Sequence, residues 1–143
     1  MRSRSRTVLF ASVCAVAASL LGAAALASAQ GTEASGASVK NPVAANAGSI
    51  AAGKKLYDTQ CASCHGPAGK GDGKGGALLK PLPANFTDDE WKHGSTDGDL
   101  FTTIRDGVKQ TGMAAYGARI PTRDIWNLVN YLRTLGPTPP KSH

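Results

Sequence analysis

Two cysteines and a histidine lie within five residues of the chain, in the segment CASCH at 61–65. Cys61 and Cys64 are separated by two residues, and His65 follows directly. On a helical turn, this spacing lets both sulfurs form thioether bonds to the two vinyl groups of one porphyrin. His65 then projects from the same short segment over the iron, as the proximal ligand. The motif therefore predicts one covalently attached haem c, with Cys61, Cys64 and His65 as binding residues.

Two other kinds of site also use cysteines at this spacing, and both remain open. A thiol–disulfide oxidoreductase has C-x-x-C at a helix start near a βαβ pattern, which is not visible in this sequence. A structural zinc ion needs four ligands, usually from two paired clusters. His93 and His143 are the remaining histidines, and the adjacent Cys64 and His65 cannot easily both reach one tetrahedral ion.

The second axial ligand of the iron is predicted from the methionines. Haem iron in electron carriers is commonly bound by histidine and methionine, and the chain contains two methionines, Met1 and Met113. Met113 lies in the glycine-flanked loop TGMAAYG, although a methionine also serves as core filler. The predicted metal ligands are therefore His65 and Met113. His93 is the alternative, and it would give an iron bound by two histidines.

Four helical segments separated by glycine-rich loops are predicted to position these residues. The first is 49–65 with Ser49 as N-cap, the second is 87–93 with Thr87 and Glu90 as a capping box, the third is 97–107 ending at Gly107, and the fourth is 122–135 with Thr122 as cap. The last has the clearest apolar stripe, formed by Ile125, Leu128, Val129, Leu132 and Leu135.

The fold class is predicted to be all-α, because no segment shows sustained strand alternation. The loops at 66–86 and 108–120 are long for a small helical domain. A large buried ligand would supply the core that such short helices lack.

The two ends of the chain are predicted to lie outside the folded domain. Residues 1–29 have a basic start, an apolar run and the sequence ASA at 27–29, which is typical of a cleaved secretory signal peptide. An uncleaved membrane anchor is the alternative. Residues 30–47 are predicted as a flexible leader, 48–137 as the domain and 138–143 as a disordered tail. The predicted location is the periplasm, without membrane insertion after cleavage.

Charge argues against nucleic-acid binding. The formal charge of +6 falls to +3 without residues 1–29, which contain three arginines and no acid. This is far less basic than nucleic-acid-binding domains usually are.

Three segments resemble the class I c-type cytochromes, which are small mono-haem proteins. GKKLYDTQCASCHG is similar to their haem-binding helix, and Gly53 and Tyr57 match the family's helix-crossing positions. LVNYLRTL is similar to their C-terminal helix, in which Leu128 and Tyr131 would face that glycine and tyrosine. TGMAAYG is similar to their axial-methionine loop, with Ala114 where many bacterial members have proline.

The resemblance covers about 48–136 and is nearest to bacterial soluble cytochromes and the cytochrome domains of terminal oxidase complexes. It implies the cytochrome c fold, with short helices and loops wrapped around one covalently bound haem. It also implies that a proline carbonyl, from Pro81 or Pro83, accepts the N–H of His65.

The predicted function is a periplasmic electron carrier rather than an enzyme, because an iron bound on both faces has no open position for a substrate. The alternatives are a fixed electron-transfer subunit of a membrane dehydrogenase or oxidase complex, and a peroxidase-like haem protein if Met113 is labile. Basic residues expected near the haem edge predict redox partners with an acidic docking face. They are Lys70, Lys74, Lys80, Arg105, Lys109 and Arg119.

Overall fold

Four α-helices and two 3₁₀ turns make up the regular structure of residues 36–136, the part of the chain that the computed structural model describes. The helices are α1 (Ala47–Gln60), α2 (Ala62–His65), α3 (Asp97–Asp106) and α4 (Thr122–Leu132), and the 3₁₀ turns are Gly36–Ser38 and Lys74–Gly76. Residues 36–136 contain no strand, which confirms the all-α prediction. The predicted signal peptide and the predicted tail lie outside the described residues.

The crossing of α1 and α4 forms the centre of the core. Residues 125–132 of α4 are all buried, so burial extends beyond the one face that the apolar stripe predicts. Tyr57 of α1 is fully buried, and its ring centroid lies 5.2 Å from that of Tyr131. The nearest atoms of α4 to Gly53 belong to Asn127 and Tyr131. The two helices therefore approach most closely where α1 has no side chain.

Gly53→Ala is expected to lower the free energy of unfolding by about 3 kcal/mol. A Cβ at position 53 would overlap the backbone carbonyl of Asn127, and neither helix can yield without separating from the other. Gly48→Ala is the matched control in the same helix, because a Cβ there would only meet Asn46 Oδ1 at 3.4 Å. Urea unfolding of the two variants measures the difference, and equal losses would contradict the proposed close approach.

The predicted helix at 87–93 is absent, so that prediction is wrong. The side chain of Asn85 accepts hydrogen bonds from the N–H and the hydroxyl of Thr87 at 2.9 and 2.8 Å. Asp88 Oδ1 accepts from the N–H of Glu90 at 3.1 Å. Asparagine and aspartate side chains that bond the backbone two residues on stabilise turns in competition with helix. The segment therefore consists of bends and one turn.

Helix α3 has the ends that its sequence indicates. Thr96 is the N-cap, and the Thr96 and Asp99 side chains each accept a hydrogen bond from the other residue's N–H at 3.1 Å. Gly107 follows the last helical residue with φ of 70°, in the region that favours glycine. The predicted stop at Gly107 is confirmed.

The predicted caps of α1 and α4 are displaced. Asn46 is the N-cap of α1, and its side chain accepts from the N–H of Ser49 at 2.9 Å. The predicted cap, Ser49, is buried inside the helix. Thr122 is the first residue of α4, and Pro121 occupies the cap position without a side-chain hydrogen bond. Proline is compatible with this place because its ring fixes φ near the −55° found for Pro121.

Residues 36–46 lie against the helices, which differs from the flexible leader predicted over 30–47. The side-chain amide of Asn41 donates to Asn130 Oδ1 at 2.8 Å and to the carbonyl of Trp126 at 3.2 Å. The amide of Asn130 donates to the carbonyl of Val43 at 3.0 Å. The leader prediction is therefore corrected for this part, whereas residues 30–35 lie outside the described residues. No helix between residues 36 and 136 has the length and apolar composition to cross a membrane.

Candidate cofactor site

One pocket brings the four predicted site residues together. Cys61, Cys64, His65 and Met113 all line it. The space between its lining atoms, with the open solvent at the mouth included, is about 900 Å³. The remaining wall is mostly apolar and includes Leu79, Pro81, Leu82, Pro83, Phe86, Leu100, Ile104, Val108 and Leu132. A flat apolar ligand with a metal at its centre fits these donors and this wall.

The CASCH motif occupies the short helix α2. Cys61 follows the last residue of α1, and its carbonyl accepts from the N–H groups of Cys64 and His65 at 3.1 and 2.9 Å. Gly66 ends the turn with φ of 79°. The hydroxyl of Tyr57 donates to the carbonyl of Gly66 at 2.6 Å, which ties the end of the motif to the core. The three side chains of the motif therefore lie on one helical turn, which Tyr57 attaches to the core.

The imidazole of His65 is oriented by a backbone carbonyl. Its Nδ1 lies 3.0 Å from the carbonyl oxygen of Ala84, and a carbonyl can only accept, so Nδ1 carries the proton. The prediction that Pro81 or Pro83 accepts the N–H of His65 is therefore wrong. The acceptor is Ala84, the residue after Pro83. The carbonyl oxygen of Pro83 lies instead next to Gly71, where it would overlap a Cβ. Nε2 of His65 is left with its lone pair, the form that binds metals.

The surroundings of His65 favour the neutral ring. Burial lowers the pKa of His65, against the hydrogen bond to Ala84, which raises it. Phe86 stacks on the imidazole, with ring centroids 4.6 Å apart and planes 22° apart. The N–H of Phe86 donates to the carbonyl of Gly69 at 2.7 Å. The ring of His65 is thus held at its edge by the hydrogen bond to Ala84 and at one face by Phe86.

The two cysteines do not have the environment of a redox-active pair. Burial, together with a smaller effect of the neighbouring Cys64, raises the pKa of Cys61 to about 11. Thiol–disulfide oxidoreductases depend on a lowered thiol pKa, so the structure disfavours that alternative. Within residues 36–136, no three side chains of His, Cys, Asp or Glu form a group that could hold a metal ion, and a structural zinc site therefore finds no support there.

Met113 is presented by a loop with its own hydrogen bonds. Its carbonyl accepts from the N–H of Val108 at 3.0 Å, and its N–H donates to Thr111 Oγ1 at 3.1 Å. Gln110 adopts φ of 62° between them, a conformation that is uncommon outside glycine. These bonds close the loop on itself and place a half-buried methionine in the pocket wall.

His93 lines the same pocket, so the alternative ligand is also in reach of the cofactor site. Its segment is held by Arg133 of α4. The guanidinium of Arg133 pairs with Asp97 at 2.7 Å, donates to the carbonyl of Ser95 at 2.6 Å and lies 5.3 Å from the ring centroid of Trp91. His93 itself is exposed, in contrast to the half-buried Met113.

Sequence reasoning missed two aromatic residues of the pocket, Phe86 and Tyr116. Each is a single aromatic residue inside a loop, without a helical or strand period. Their one detectable signal is apolar character in a glycine-rich segment, and this does not distinguish a pocket wall from an ordinary core contact.

Comparisons with known proteins agree with this geometry. Residues 48–132 match the family model described as cytochrome c oxidase, cbb3-type, subunit III. Cytochrome c-554(547) of Halothiobacillus neapolitanus is 36% identical over 95 residues, which cover 62% of this chain and 99% of that protein. The cbb3-type cytochrome c oxidase subunit CcoP of Azospirillum sp. (strain B510) is 35% identical over 102 residues, which cover 67% of this chain and 32% of the subunit. The chain thus spans about a third of the length of the oxidase subunits it matches.

Solved structures share the fold. Cytochrome cL from Methylophaga aminisulfidivorans superposes with a TM-score of 0.53 at 25% identity, over 64% of this chain and 57% of that one. A chain of the reducing HAO-like protein complex of Kuenenia stuttgartiensis superposes with a TM-score of 0.63 at 27% identity, over 69% of this chain and 50% of that one. The cytochrome c fold implied by the sequence is confirmed. The chain belongs to the family of subunit III of cbb3-type cytochrome c oxidase and is a c-type cytochrome, a class that binds haem c covalently with its iron.

Proposed function

We propose that this chain carries single electrons between protein partners through one haem c, bound by Cys61 and Cys64 and ligated by His65 and Met113. The observation that carries the proposal is the convergence of these four side chains on one apolar pocket. The family membership supports electron transfer as the activity.

The chain's own residues would hold the cofactor from one helical turn. The sulfurs of Cys61 and Cys64 would form the two thioether bonds, and His65 would bind the iron through Nε2. The hydrogen bond from Nδ1 to Ala84 fixes the orientation of the ring and increases the basicity of Nε2. The stacked ring of Phe86 limits rotation of the imidazole.

Met113 would set the reduction potential and close the coordination sphere. When bound, haem c supplies one-electron exchange at its iron. The soft thioether sulfur of Met113 favours the reduced iron, and the apolar wall disfavours the extra charge of the oxidised iron, so both raise the potential. With His65 and Met113 both bound, the iron would have no open coordination position. This supports a carrier over the peroxidase-like alternative.

The proposed partners are redox proteins with an acidic docking face. All six basic residues named from the sequence are exposed. Lys80 lies in the same loop as Leu82, a pocket-lining residue that is 58% exposed. Arg105 contributes less net charge, because it pairs with Asp106 at 2.6 Å. The proposed location is the periplasm if residues 1–29 are cleaved, and the membrane surface if they remain as an anchor.

A fixed electron-transfer subunit is the second candidate function. The similarity to the oxidase subunit CcoP, of which this chain spans 32%, favours it. A fixed subunit would copurify with a membrane complex, whereas a carrier would be released with the soluble periplasmic fraction.

Covalent retention of haem tests the proposal directly. The protein is purified from a host that matures c-type cytochromes, extracted with acid–acetone and dissolved in alkaline pyridine. The haem spectrum is expected to stay with the polypeptide, because thioether bonds survive the extraction. A wild-type chain from which all haem is extracted would contradict the proposal.

Variants of the motif sharpen this test. Cys61→Ser and Cys64→Ser are each expected to shift the pyridine spectrum to that of a single thioether, because one vinyl group stays unreacted. The double variant should release its haem completely. Ser63→Ala is the matched control, since Ser63 lies between the cysteines, is exposed and does not line the pocket.

A further inference from the structure

Tyr116 joins the two sides of the pocket. Its hydroxyl donates to the backbone carbonyl of Gln60 at 3.1 Å, across 56 positions of sequence. Gln60 is the last residue of α1 and directly precedes Cys61. Tyr116 comes three residues after Met113, and both Tyr116 and Gln60 line the pocket. The hydrogen bond thus connects the segment that carries Met113 to the segment that carries the cysteines.

The other hydrogen bonds described below do not connect the Met113 loop to the end of α1. The bonds of Met113 to Val108 and Thr111 are internal and move with the loop. The N–H of Tyr116 donates to the carbonyl of Ile104 at 3.1 Å, which attaches the loop to α3. Loop and α3 therefore form one wall of the pocket. The hydroxyl of Tyr116 reaches the opposite wall, at the end of α1.

The ring of Tyr116 is fixed in this direction. The guanidinium of Arg119 lies 4.5 Å from its centroid, and Arg119 also donates to the carbonyl of Ala115 at 3.2 Å. The ring is half-buried, so the hydroxyl loses little further freedom when it bonds to Gln60. A hydrogen bond from a side chain that is already ordered retains more of its strength.

We infer that Tyr116 is a positioning residue that holds the Met113 loop closed over the iron. The inference rests on the proposed ligation by Met113. An external ligand binds the iron only when the loop has opened, so its apparent affinity falls with the fraction of open loop. Opening of the loop would break the hydrogen bond between Tyr116 and Gln60 as well as the bond that Met113 would form to iron. The hydroxyl therefore keeps Met113 bound and external ligands out.

Imidazole binding to the oxidised holoprotein tests this inference in the variant Tyr116→Phe, which keeps the ring and removes the hydroxyl. Loss of the sulfur-to-iron charge-transfer band measures displacement of Met113. Because a hydrogen bond of this kind changes an equilibrium by about two- to tenfold, imidazole is expected to bind about two- to tenfold more tightly than to wild type. Without imidazole the variant should retain the band, since Met113 is unchanged.

Tyr131→Phe is the matched control. Tyr131 is buried in α4 and does not line the pocket, so its imidazole affinity should equal that of wild type. Unchanged affinity in Tyr116→Phe, or an equal increase in Tyr131→Phe, would overturn the inference while leaving the proposed function intact. A wild-type protein without the charge-transfer band would overturn both, because Met113 would then not be the ligand.

Discussion

His65→Ala is expected to leave the chain without stably bound haem. His65 is held by the hydrogen bond to Ala84 and the stacked ring of Phe86, and alanine offers the iron no donor in that place. The two cysteines alone would attach a porphyrin whose iron lacks its proximal histidine ligand. The haem would therefore no longer be held in a fixed position in the pocket. The measurement is the ratio of haem absorbance to polypeptide after purification, with an expected loss of nearly all the haem.

His93→Ala is the matched control for this experiment, because His93 is the other described histidine and lines the same pocket. Its variant should incorporate haem as wild type does. Normal incorporation in His65→Ala would count against the assignment of the whole site. A loss in His93→Ala as large as that in His65→Ala would point instead to an iron bound by both histidines.

Met113→Ala is expected to remove the charge-transfer band of the oxidised protein and to lower the reduction potential. The loss of a soft sulfur ligand destabilises reduced iron relative to oxidised iron. The fall should be on the order of 0.1 V, a fraction of the about 0.8 V that axial ligands span. Haem should remain covalently attached, because Cys61 and Cys64 are unchanged. Spectroelectrochemical titration measures both effects in one sample.

An unchanged spectrum in Met113→Ala would reject Met113 as ligand. Gln110→Ala serves as the loop control, because Gln110 lies in the same loop and does not line the pocket. A fall in potential in both variants would mean that loop shape, and not the sulfur, sets the potential. A fall in Met113→Ala alone supports the proposed ligation.

Local spacing made the motif and the helices around it predictable from the sequence. Cys61, Cys64 and His65 share one turn because the turn is formed by their own backbone hydrogen bonds. Helix α4 is likewise indicated by its own apolar period, although the burial of residues 125–132 extends to every side of the helix. Met113 was predicted from the small number of methionines, and it lies in the pocket wall, where its ligation of iron stays a prediction.

Features that depend on distant contacts were not predictable. The loop that brings the Ala84 carbonyl to His65 also passes close to Gly71, and nothing in the prolines before Ala84 determines that path. The segment 87–93 has the composition of a helix start. The side chain of Asn85, two residues before this segment, instead accepts hydrogen bonds from Thr87 and stabilises a turn.

The hydrogen bond from Asn41 to Asn130 means that the folded domain begins before position 48, where the match to the family model begins. A fragment cut at 48 would deprive Asn130 of the donor from Asn41 and of the acceptor at Val43. Asn130 is only 5% exposed and would keep its donation to Ser49 Oγ at 2.7 Å, but its Oδ1 would lose its donor, and a buried polar atom without a partner costs about 1–3 kcal/mol. Transfer of this domain into another polypeptide would therefore have to include these preceding residues. The part of the chain that folds as a unit is therefore longer at its N-terminal side than the part that the family model matches.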